Sequence, residues 1–344
     1  MLPIDQLAQK VGRKVLFVGT EAYRWTVADF SKAAKNARAL GVDTLCIKRA
    51  DGGIKWYQTA GHLALERQAC LSEGVGFVPF MYNYGPHFGD TQILLEANVA
   101  IEMMDTCDGL VCLDLEVEWN GNGPAAQRLC DLLKPASARG DIIVSTWADP
   151  VQQNWVGVIQ ALNPVVSAWG PQEYTNWLSA QELQFTEHGV NANKLWPELD
   201  ITHLYSYNTP LTVFHDAVTR GHGSIWLWEY QVALRNPGLV HTLFALLGPT
   251  TSAPDHAPVM TNTTKVAPVD VPVPSHTAIE AHYVIKEGDT LGGIASALHL
   301  SNWFTDLYVP NHAVLDRTAQ QHGYRDSERG NIIFPGTLLT YTRL

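Results

Sequence analysis

The stretch GLVCLDLEVEWNG, from Gly109 to Gly121, decides the fold of the chain. It begins as an unbroken apolar run and then places Asp114, Glu116 and Glu118 at every second position. Residues i and i+2 of a β-strand project from the same face, so the three carboxyl groups share one side. The residues between them are apolar and suited to packing against helices. The stretch therefore predicts a buried strand whose carboxyl end carries a cluster of acids.

Seven further apolar runs accompany this one, and amphipathic segments that predict helices separate them. The eight runs read VLFVGT, TLCIKRA, GFVPFMYNYG, GLVCLDLE, DIIVSTW, PVVSAWG, ITHLYSYN and SIWLWEYQ. Strands that alternate with helices over roughly 250 residues are typical of a (β/α)8 barrel. The alternative is a doubly wound open sheet, but VGTEAYRW after the first strand lacks the Gly-rich turn that binds dinucleotide phosphates. We expect an α/β fold of the (β/α)8 TIM-type over residues 1–248.

Two further segments follow the predicted barrel. Residues 249–281 are rich in Pro, Thr and Ser and show no helix or strand period, which predicts an extended linker. Residues 282–344 predict a strand, a turn around Gly288, helical segments, and a last strand after Pro335. We therefore expect a small βααβ domain at the carboxyl end of the chain.

Composition limits the functions that the chain can have. It has 344 residues, 46% of them hydrophobic, and a net charge of -11 from 23 Lys and Arg against 34 Asp and Glu. Surfaces that bind nucleic acid need clustered cations, so we expect no nucleic-acid partner. The five cysteines form no C-x-x-C pair or zinc-like spacing, which predicts buried thiols, no metal and no cofactor. The sequence also predicts no membrane span and no signal peptide, and hence synthesis in the cytoplasm.

The acids of GLVCLDLEVEWNG belong at the place where barrel enzymes perform chemistry, the carboxyl ends of the strands. Paired carboxyl groups flanking a glycosidic bond can serve as proton donor and as nucleophile or base. The alternative is an acidic strand end that pairs with Arg or Lys from a neighbouring loop. Aromatic residues at other strand ends are candidates for stacking on sugar rings, although such residues also fill barrel cores. These candidates are Trp147, Trp169, Trp228, Tyr82, Tyr84 and Tyr230.

From about Val15 to Gln231, the predicted barrel resembles the glycoside hydrolase family 25 lysozymes. The segments that carry the resemblance are WTVADFSKAAKNARALGVDTLCIKRADGG, GFVPFMYNYG, LDLEVE, IIVSTW and LWEYQ. The resemblance implies hydrolysis of β-1,4 bonds in peptidoglycan, with Glu116 as proton donor and Asp114 as its acidic partner. The family's first strand carries an aspartate in Gly-x-Asp-x-Ser. This chain reads FVGTEAYRW there, which makes Glu21 the candidate replacement.

A second alignment is open for the same acids. The Asp-x-Asp-x-Glu motif of chitinase-like family 18 falls on Asp114, Glu116 and Glu118, with Glu116 in place of an aspartate. This alignment would make Glu118 the acid. It needs one more substitution in the motif and fits the first two strands less well.

The carboxyl-terminal segment resembles a LysM module. The matching residues are Tyr283, Val284, Gly288, Asp289, Thr290, Leu291, Ile294, Ala295, Leu307, Asn311, Ile333, Pro335, Gly336 and Leu338. The resemblance implies binding of glycans that contain N-acetylglucosamine, such as peptidoglycan or chitin. The residues that it makes candidates for this binding are Gly288, Asp289, Thr290, Leu291 and Asn311. The stretch from His312 to Asn331 is longer than a compact LysM loop and is a candidate to cover or remodel the groove.

Together these patterns predict a peptidoglycan hydrolase that acts at the cell wall, as a phage endolysin or tail-associated lysozyme does. A LysM-like tether would raise the local concentration of substrate around the barrel. The alternative is a catalytically degenerate barrel that binds glycan or serves as a structural subunit of a phage-like or contractile injection assembly.

Overall fold

The structure is a computed structural model, and it divides the chain into two compact units, Met1–Val259 and Met260–Leu344. The described residues of the first unit are 1–147, 150–151, 153–172, 178–201 and 210–247. The described residues of the second unit are 279–286, 289–291, 294–295, 298, 300, 307–324, 327 and 332–343. The predicted linker therefore lies almost entirely outside the described residues.

Eight parallel strands close into a barrel in the first unit, which confirms the predicted fold class. They are β1 (Lys14–Val18), β2 (Thr44–Asp51), β4 (Gly76–Asn83), β5 (Leu110–Leu115), β6 (Asp141–Trp147), β7 (Val166–Gln172), β8 (Glu198–Asp200) and β9 (Ile225–Trp228). Each pairs with the next in this order, and β1 pairs with both β2 and β9 to close the ring. The short strand β3 (Ile54–Lys55) turns back against β2 as an antiparallel hairpin.

Helices after β1 form the outer layer, and one helix precedes the first strand. They are α1 (Ile4–Val11), α2 (Val27–Ala39), α3 (Ala60–Ser72), α4 (Asp90–Thr106), α5 (Gly123–Ser137), α6 (Val156–Leu162), α7 (Leu178–Glu187), α8 (Pro210–Thr219), α9 (Tyr230–Arg235) and α10 (Pro237–Leu246). Helix α2 begins directly after Thr26, where Thr26 and Asp29 form a reciprocal capping box. Within the described parts of the chain, no helix has the length and apolar character needed to cross a bilayer.

Alternation along the strands produces two packed layers. Side chains such as Phe17, Phe80 and Cys112 meet inside the barrel, while their strand neighbours pack against the helices. Helix α1 lies at the amino-terminal end of the barrel, where Leu7 and Val11 join the interior cluster. The interior is therefore filled at that end, and the carboxyl end is left for a site. The five cysteines are buried and free, as predicted.

Two strands differ from their predicted positions. Strand β7 runs on past PVVSAWG to Gln172, which adds a polar residue at its carboxyl end. Strand β8 is Glu198–Asp200, directly before the predicted run ITHLYSYN, of which residues 202–208 lie outside the described part of the chain. The prediction missed β8 because Pro197 and two acids give WPELD little resemblance to a buried strand.

The second unit contains an antiparallel pair formed by β10 (Ile279–Val284) and β11 (Leu338–Arg343). Helix α11 (Val309–Gln321) packs with these strands around a small core of its own. That core contains Ile285, Leu291, Ile294, Ala295, Leu307, Leu315, Leu339 and Tyr341. Much of the stretch from His312 to Asn331, predicted to be a long loop, thus continues as helix α11.

Candidate active site

The inner faces of the strands change from apolar to polar at the carboxyl end of the barrel. A residue two positions after an interior residue on the same strand also faces the interior. On this basis Lys48 on β2, Tyr82 on β4 and Asp114 on β5 face inward at the carboxyl end. The same spacing places Ser145 on β6 and Trp228 on β9 at this end of the interior. Strand geometry alone therefore gathers these polar and aromatic side chains around one mouth.

The acids of β5 occupy two kinds of backbone. Asp114 lies in the strand, and Glu116 is the first residue beyond its end. A 3-10 helix, Val117–Trp119, then breaks the alternation, so Glu118 does not continue the face predicted for it. Glu118 nevertheless remains at the mouth, because the Tyr82 hydroxyl donates to its two carboxyl oxygens at 2.9 and 3.1 Å.

Gln172 joins two of these acids. Its Nε2 lies 3.3 Å from Asp114 Oδ1, 3.4 Å from Glu116 Oε1 and 3.2 Å from Ser145 Oγ. Two N–H hydrogens are thus shared among three acceptors. Because one buried amide nitrogen reaches both carboxyl groups, Asp114 and Glu116 are held side by side.

A further carboxyl group extends this network below the mouth. Ser145 Oγ donates to Glu198 Oε2 at 2.8 Å, and Glu198 is 2% exposed. Burial raises the pKa of Glu198 well above its ordinary value, and the nearby Cys112 and Asp114 raise it further. Burial therefore favours the protonated form of Glu198, a buried acid that no motif in the sequence marked.

Burial also controls the protonation of the two acids on β5. It raises the pKa of Asp114 to about 8, with Glu116 adding to the shift and Lys48 opposing it. Burial likewise raises the pKa of Glu116, against the lowering effect of the hydrogen bond from Gln172. The pair therefore retains a proton at neutral pH, as a proton donor requires.

Lys48 is a cation near these acids, yet its ion pair is made with another residue. Its Nζ lies 3.1 Å from Asp51 Oδ1 and about 5 Å above the rings of Trp56 and Tyr82. It acts on Asp114 and Glu116 through space rather than by a direct ion pair. The structure thus differs from the alternative in which these acids serve a structural salt bridge.

Glu21 reaches another part of the mouth. It lies in the 3-10 helix Thr20–Arg24 after β1, and its carboxyl group approaches Glu229 after β9. Burial raises the pKa of Glu21, and the charge of Glu229 raises it further. The structure therefore pairs Glu21 with Glu229, whereas Gln172 joins Asp114 to Glu116.

The predicted sugar-stacking aromatics divide into two groups. Tyr82, Tyr84, Trp147 and Trp228 are partly exposed near the strand ends. Trp169 is fully buried, because it alternates with Ala168 and so faces helix α7, where it packs on Phe185. Tyr230 is also buried and accepts a hydrogen bond from Asn36 Nδ2 through its hydroxyl group. These two rings belong to the core and are not available for stacking on a sugar.

The candidate residues of the second unit have structural partners. Asp289 Oδ2 accepts hydrogen bonds from the Tyr283 hydroxyl at 3.0 Å and from the Lys286 N–H at 2.7 Å. Asn311 is buried and its carboxamide bonds the Thr340 backbone in both directions. Leu291 belongs to the core, the Thr290 carbonyl accepts the Ile294 N–H at 2.9 Å, and Gly288 lies outside the described residues. Asp289 and Asn311 thus fix backbone within this unit.

No group of three or more potential metal ligands occurs in the parts of the chain that are described. The residues collected at the mouth are carboxyl, amide, hydroxyl and aromatic groups. This chemistry suits proton transfer and the binding of a polar, ring-containing ligand.

The fold and the mouth define the chain as a (β/α)8 barrel with a multi-carboxyl site at the carboxyl ends of its strands.

No protein-family model matches the chain, and no curated protein matches it. Solved structures are similar to it at low identity. The catalytic domain of a mannanase from Streptomyces sp. SirexAA-E is 15% identical, with a TM-score of 0.48 over 63% of this chain and 75% of that chain. The spore cortex-lytic enzyme SleL of Bacillus cereus is 10% identical, with a TM-score of 0.47 over 67% and 73%. A class V chitinase from Pseudomonas fluorescens Pf-5 is 10% identical, with a TM-score of 0.43 over 66% and 100%.

Proposed function

We propose that the barrel is a glycoside hydrolase that cleaves β-1,4 bonds of peptidoglycan, with a muramidase-like action. One observation carries the proposal: Gln172 holds Asp114 and Glu116 side by side at the barrel mouth, and both acids have raised pKa values. Adjacent carboxyl groups that retain a proton at neutral pH meet the main chemical requirement of glycoside hydrolysis.

Glu116 is the proton donor in this proposal. It is half-buried and so reachable by a bound sugar, whereas Asp114 is 9% exposed. Donation from Glu116 to the leaving oxygen places a negative charge beside Asp114. Asp114 shares the Gln172 amide, and its pKa of about 8 keeps it protonated at neutral pH, so it limits the charge in this buried space. The Gln172 amide that the two acids share keeps Glu116 in position during the reaction.

Glu118 is the second carboxyl group of the reaction. The Tyr82 hydroxyl donates to the two carboxyl oxygens of Glu118 and so holds the Glu118 carboxyl group beside β4 at the mouth. In this position it serves as the base or nucleophile that opposes Glu116 across the bond. Glu21 and Glu229 line the opposite side of the mouth and contact the sugar that binds there.

A chitinase-like reaction is the second candidate function, and the contact between Tyr82 and Glu118 favours it. In that case Glu118 donates the proton, while Asp114 and Glu116 form the buried acidic pair behind it. The substrate would be a chitin-type polymer of N-acetylglucosamine. The two candidates therefore differ in which glutamate is the acid.

The second unit supports an action at the cell wall. Its resemblance to a LysM module leads us to propose that it binds N-acetylglucosamine-containing glycan and keeps the barrel close to its substrate. Delivery by a phage, as an endolysin or a tail-associated lysozyme, is part of the same proposal. The competing proposal is a barrel that has lost catalysis and acts as a glycan-binding or structural subunit of a phage-like assembly.

The deciding experiment measures the release of reducing ends from purified peptidoglycan and from chitin. Glu116→Gln keeps the shape of the side chain but cannot donate the proton, so we expect a loss of about 10²- to 10⁴-fold. Glu102→Gln is the matched control, because Glu102 lies on helix α4 in an exposed ion pair with Lys55. A larger loss in Glu118→Gln than in Glu116→Gln would favour the chitinase-like assignment. Equal background rates for the wild type and Glu116→Gln would support the non-enzymatic proposal.

A further inference from the structure

A row of aromatic rings runs outward from the acids toward solvent. The ring centroids of Tyr82 and Tyr84 are 4.9 Å apart, and those of Tyr84 and Phe88 are 5.5 Å apart. The row begins where the Tyr82 hydroxyl meets Glu118, and it ends at Phe88, which is 61% exposed. We call these three residues, Tyr82, Tyr84 and Phe88, the aromatic row. It connects the candidate reaction centre to the open surface without a break.

A buried carboxylate fixes the loop that presents the row. Glu96, on helix α4, is fully buried and accepts the N–H groups of Tyr84 and Gly85 at 2.8 to 3.2 Å. It also accepts a hydrogen bond from Gln92 Nε2 at 2.8 Å. A buried carboxyl group is stable only when donors surround it, and here they all come from this loop and its flanks. The backbone that carries Phe88 is therefore held in place before any ligand arrives.

Trp119 holds the same loop from its other side. Gly85 has a φ of +50°, and a Cβ at this position would overlap the Trp119 ring. The indole Nε1 donates to the Asn83 carbonyl at 2.9 Å, which joins the ring to the end of β4. The loop between Asn83 and Phe88 is thus fixed by hydrogen bonds on one side and by close packing on the other.

A rigid, solvent-facing aromatic ring beside a polar site is suited to one kind of ligand. Sugar rings have apolar C–H faces that stack on aromatic side chains and hydroxyl edges that bind polar groups. Because the loop is already ordered, stacking there avoids the cost of ordering backbone on binding. A single exposed Phe is unremarkable on a protein surface, but Phe88 continues a row that starts at the acids.

We propose that the aromatic row is an extended binding site for a glycan chain, and that Phe88 holds a sugar beyond those that reach the acids. The proposal rests on the proposed glycosidase function and deepens it, because it assigns the enzyme a polymeric substrate. Cleavage of long chains would then depend on Phe88, whereas cleavage of fragments too short to reach it would not.

The test compares kcat/KM on long peptidoglycan strands and on the tetrasaccharide fragment of the same polymer. We expect Phe88→Ala to lower kcat/KM on long strands by about two- to tenfold, the effect of losing one stacked ring. The tetrasaccharide should be cleaved at an unchanged rate, and Phe88→Trp should restore activity on long strands. Leu183→Ala is the control, since Leu183 is a comparably exposed apolar residue on helix α7.

Four outcomes would overturn the inference in distinguishable ways. Equal kcat/KM for Phe88→Ala and wild type on both substrates would show that Phe88 contacts no sugar. An equal loss on both substrates would show a general effect on the mouth rather than an extended site. A wild-type protein that cleaves neither substrate would overturn the proposed function itself, and this inference with it. A change in oligomeric state in Phe88→Ala, with an unaltered length dependence, would instead identify Phe88 as a self-association contact.

Discussion

Gln172 Nε2 lies 3.3 Å from Asp114 Oδ1, and these two residues come from strands that are not neighbours in the barrel. Strand β6 separates them, and its Ser145 fills the space between. The acids of β5 are therefore positioned by side chains from β6 and β7.

Loss of the Gln172 donor should change the pH dependence of the proposed reaction. Its hydrogen bond lowers the pKa of Glu116, so Gln172→Met should raise that pKa further. A donor acid with a higher pKa stays protonated to a higher pH, so the alkaline limb of the kcat profile moves to higher pH. A hydrogen bond to a charged group is worth about 1.5 to 3 kcal/mol, so we expect a shift of about one to two pH units. An alkaline limb that stays in place or moves to lower pH would argue against Glu116 as the donor.

Glu198 should make the barrel less stable as pH rises. Its pKa is raised in the folded state, so the folded chain binds more protons than the unfolded chain above about pH 4.3. The contribution of Glu198 to the free energy of unfolding must therefore fall with increasing pH over that range. Glu198→Gln removes this ionisation and keeps the side-chain shape. Urea unfolding at pH 5 and pH 8 should show a smaller decrease for Glu198→Gln than for the wild type, and parallel decreases would contradict the assignment.

A buried ion pair between β2 and α3 should be costly to break from one side. Arg49 and Glu66 are 2.7 Å apart and are 1% and 0% exposed in their side chains. Arg49→Met removes the guanidinium from the buried Glu66 carboxyl and leaves it with the His62 ring at 3.1 Å, so we expect a loss of about 3 to 5 kcal/mol in the free energy of unfolding. Lys55→Ala, which breaks the exposed pair with Glu102, should cost less than about 1 kcal/mol. The double variant Arg49→Met, Glu66→Gln should be more stable than Arg49→Met alone. A double variant whose loss equals the sum of the losses of Arg49→Met and Glu66→Gln, measured singly, would contradict this account.

Asn311 should be required for the stability of the second unit. Its carboxamide donates to the carbonyls of Leu307 and Thr340 at 2.7 Å and accepts the Thr340 N–H at 2.8 Å. Asn311→Ala leaves buried backbone groups unpaired, at a cost of about 1 to 3 kcal/mol. Hydrogen exchange should show faster exchange of the β10 and β11 amides in this variant. Gln321→Ala, at the exposed end of helix α11, is the control and should leave those rates unchanged.

The barrel was predictable from the sequence because its strands repeat one simple pattern. Runs such as DIIVSTW are apolar on both faces, as parallel strands between a core and helices must be, and β6 has the predicted bounds. The acids of β5 were predictable for the same reason, since period-two alternation places Asp114 and Glu116 on one face. Glu118 departs from that face because the strand ends before it.

The rest of the candidate site could not be predicted because its residues are not close in sequence. Gln172 and Glu198 reach Asp114 and Ser145 only after the barrel closes, and no local spacing marks them. The inward positions of β6 and β7 held a usable signal, since a polar residue there must find a partner. The same alternation would have assigned Trp169 to the helix-facing side, where it packs on Phe185.

The contact between Gly85 and Trp119 couples the loop after β4 to the segment after β5, so the two move together. Trp119 ends the 3-10 helix that contains Glu118, and Gly85 begins the 3-10 helix that ends at Phe88. A force applied to Phe88 by a polymer under tension would therefore be transmitted to the segment that carries Glu118. Loops grafted or redesigned after β4 would have to preserve this contact, because the surface that would grip a chain and the group that would act on it cannot be altered separately.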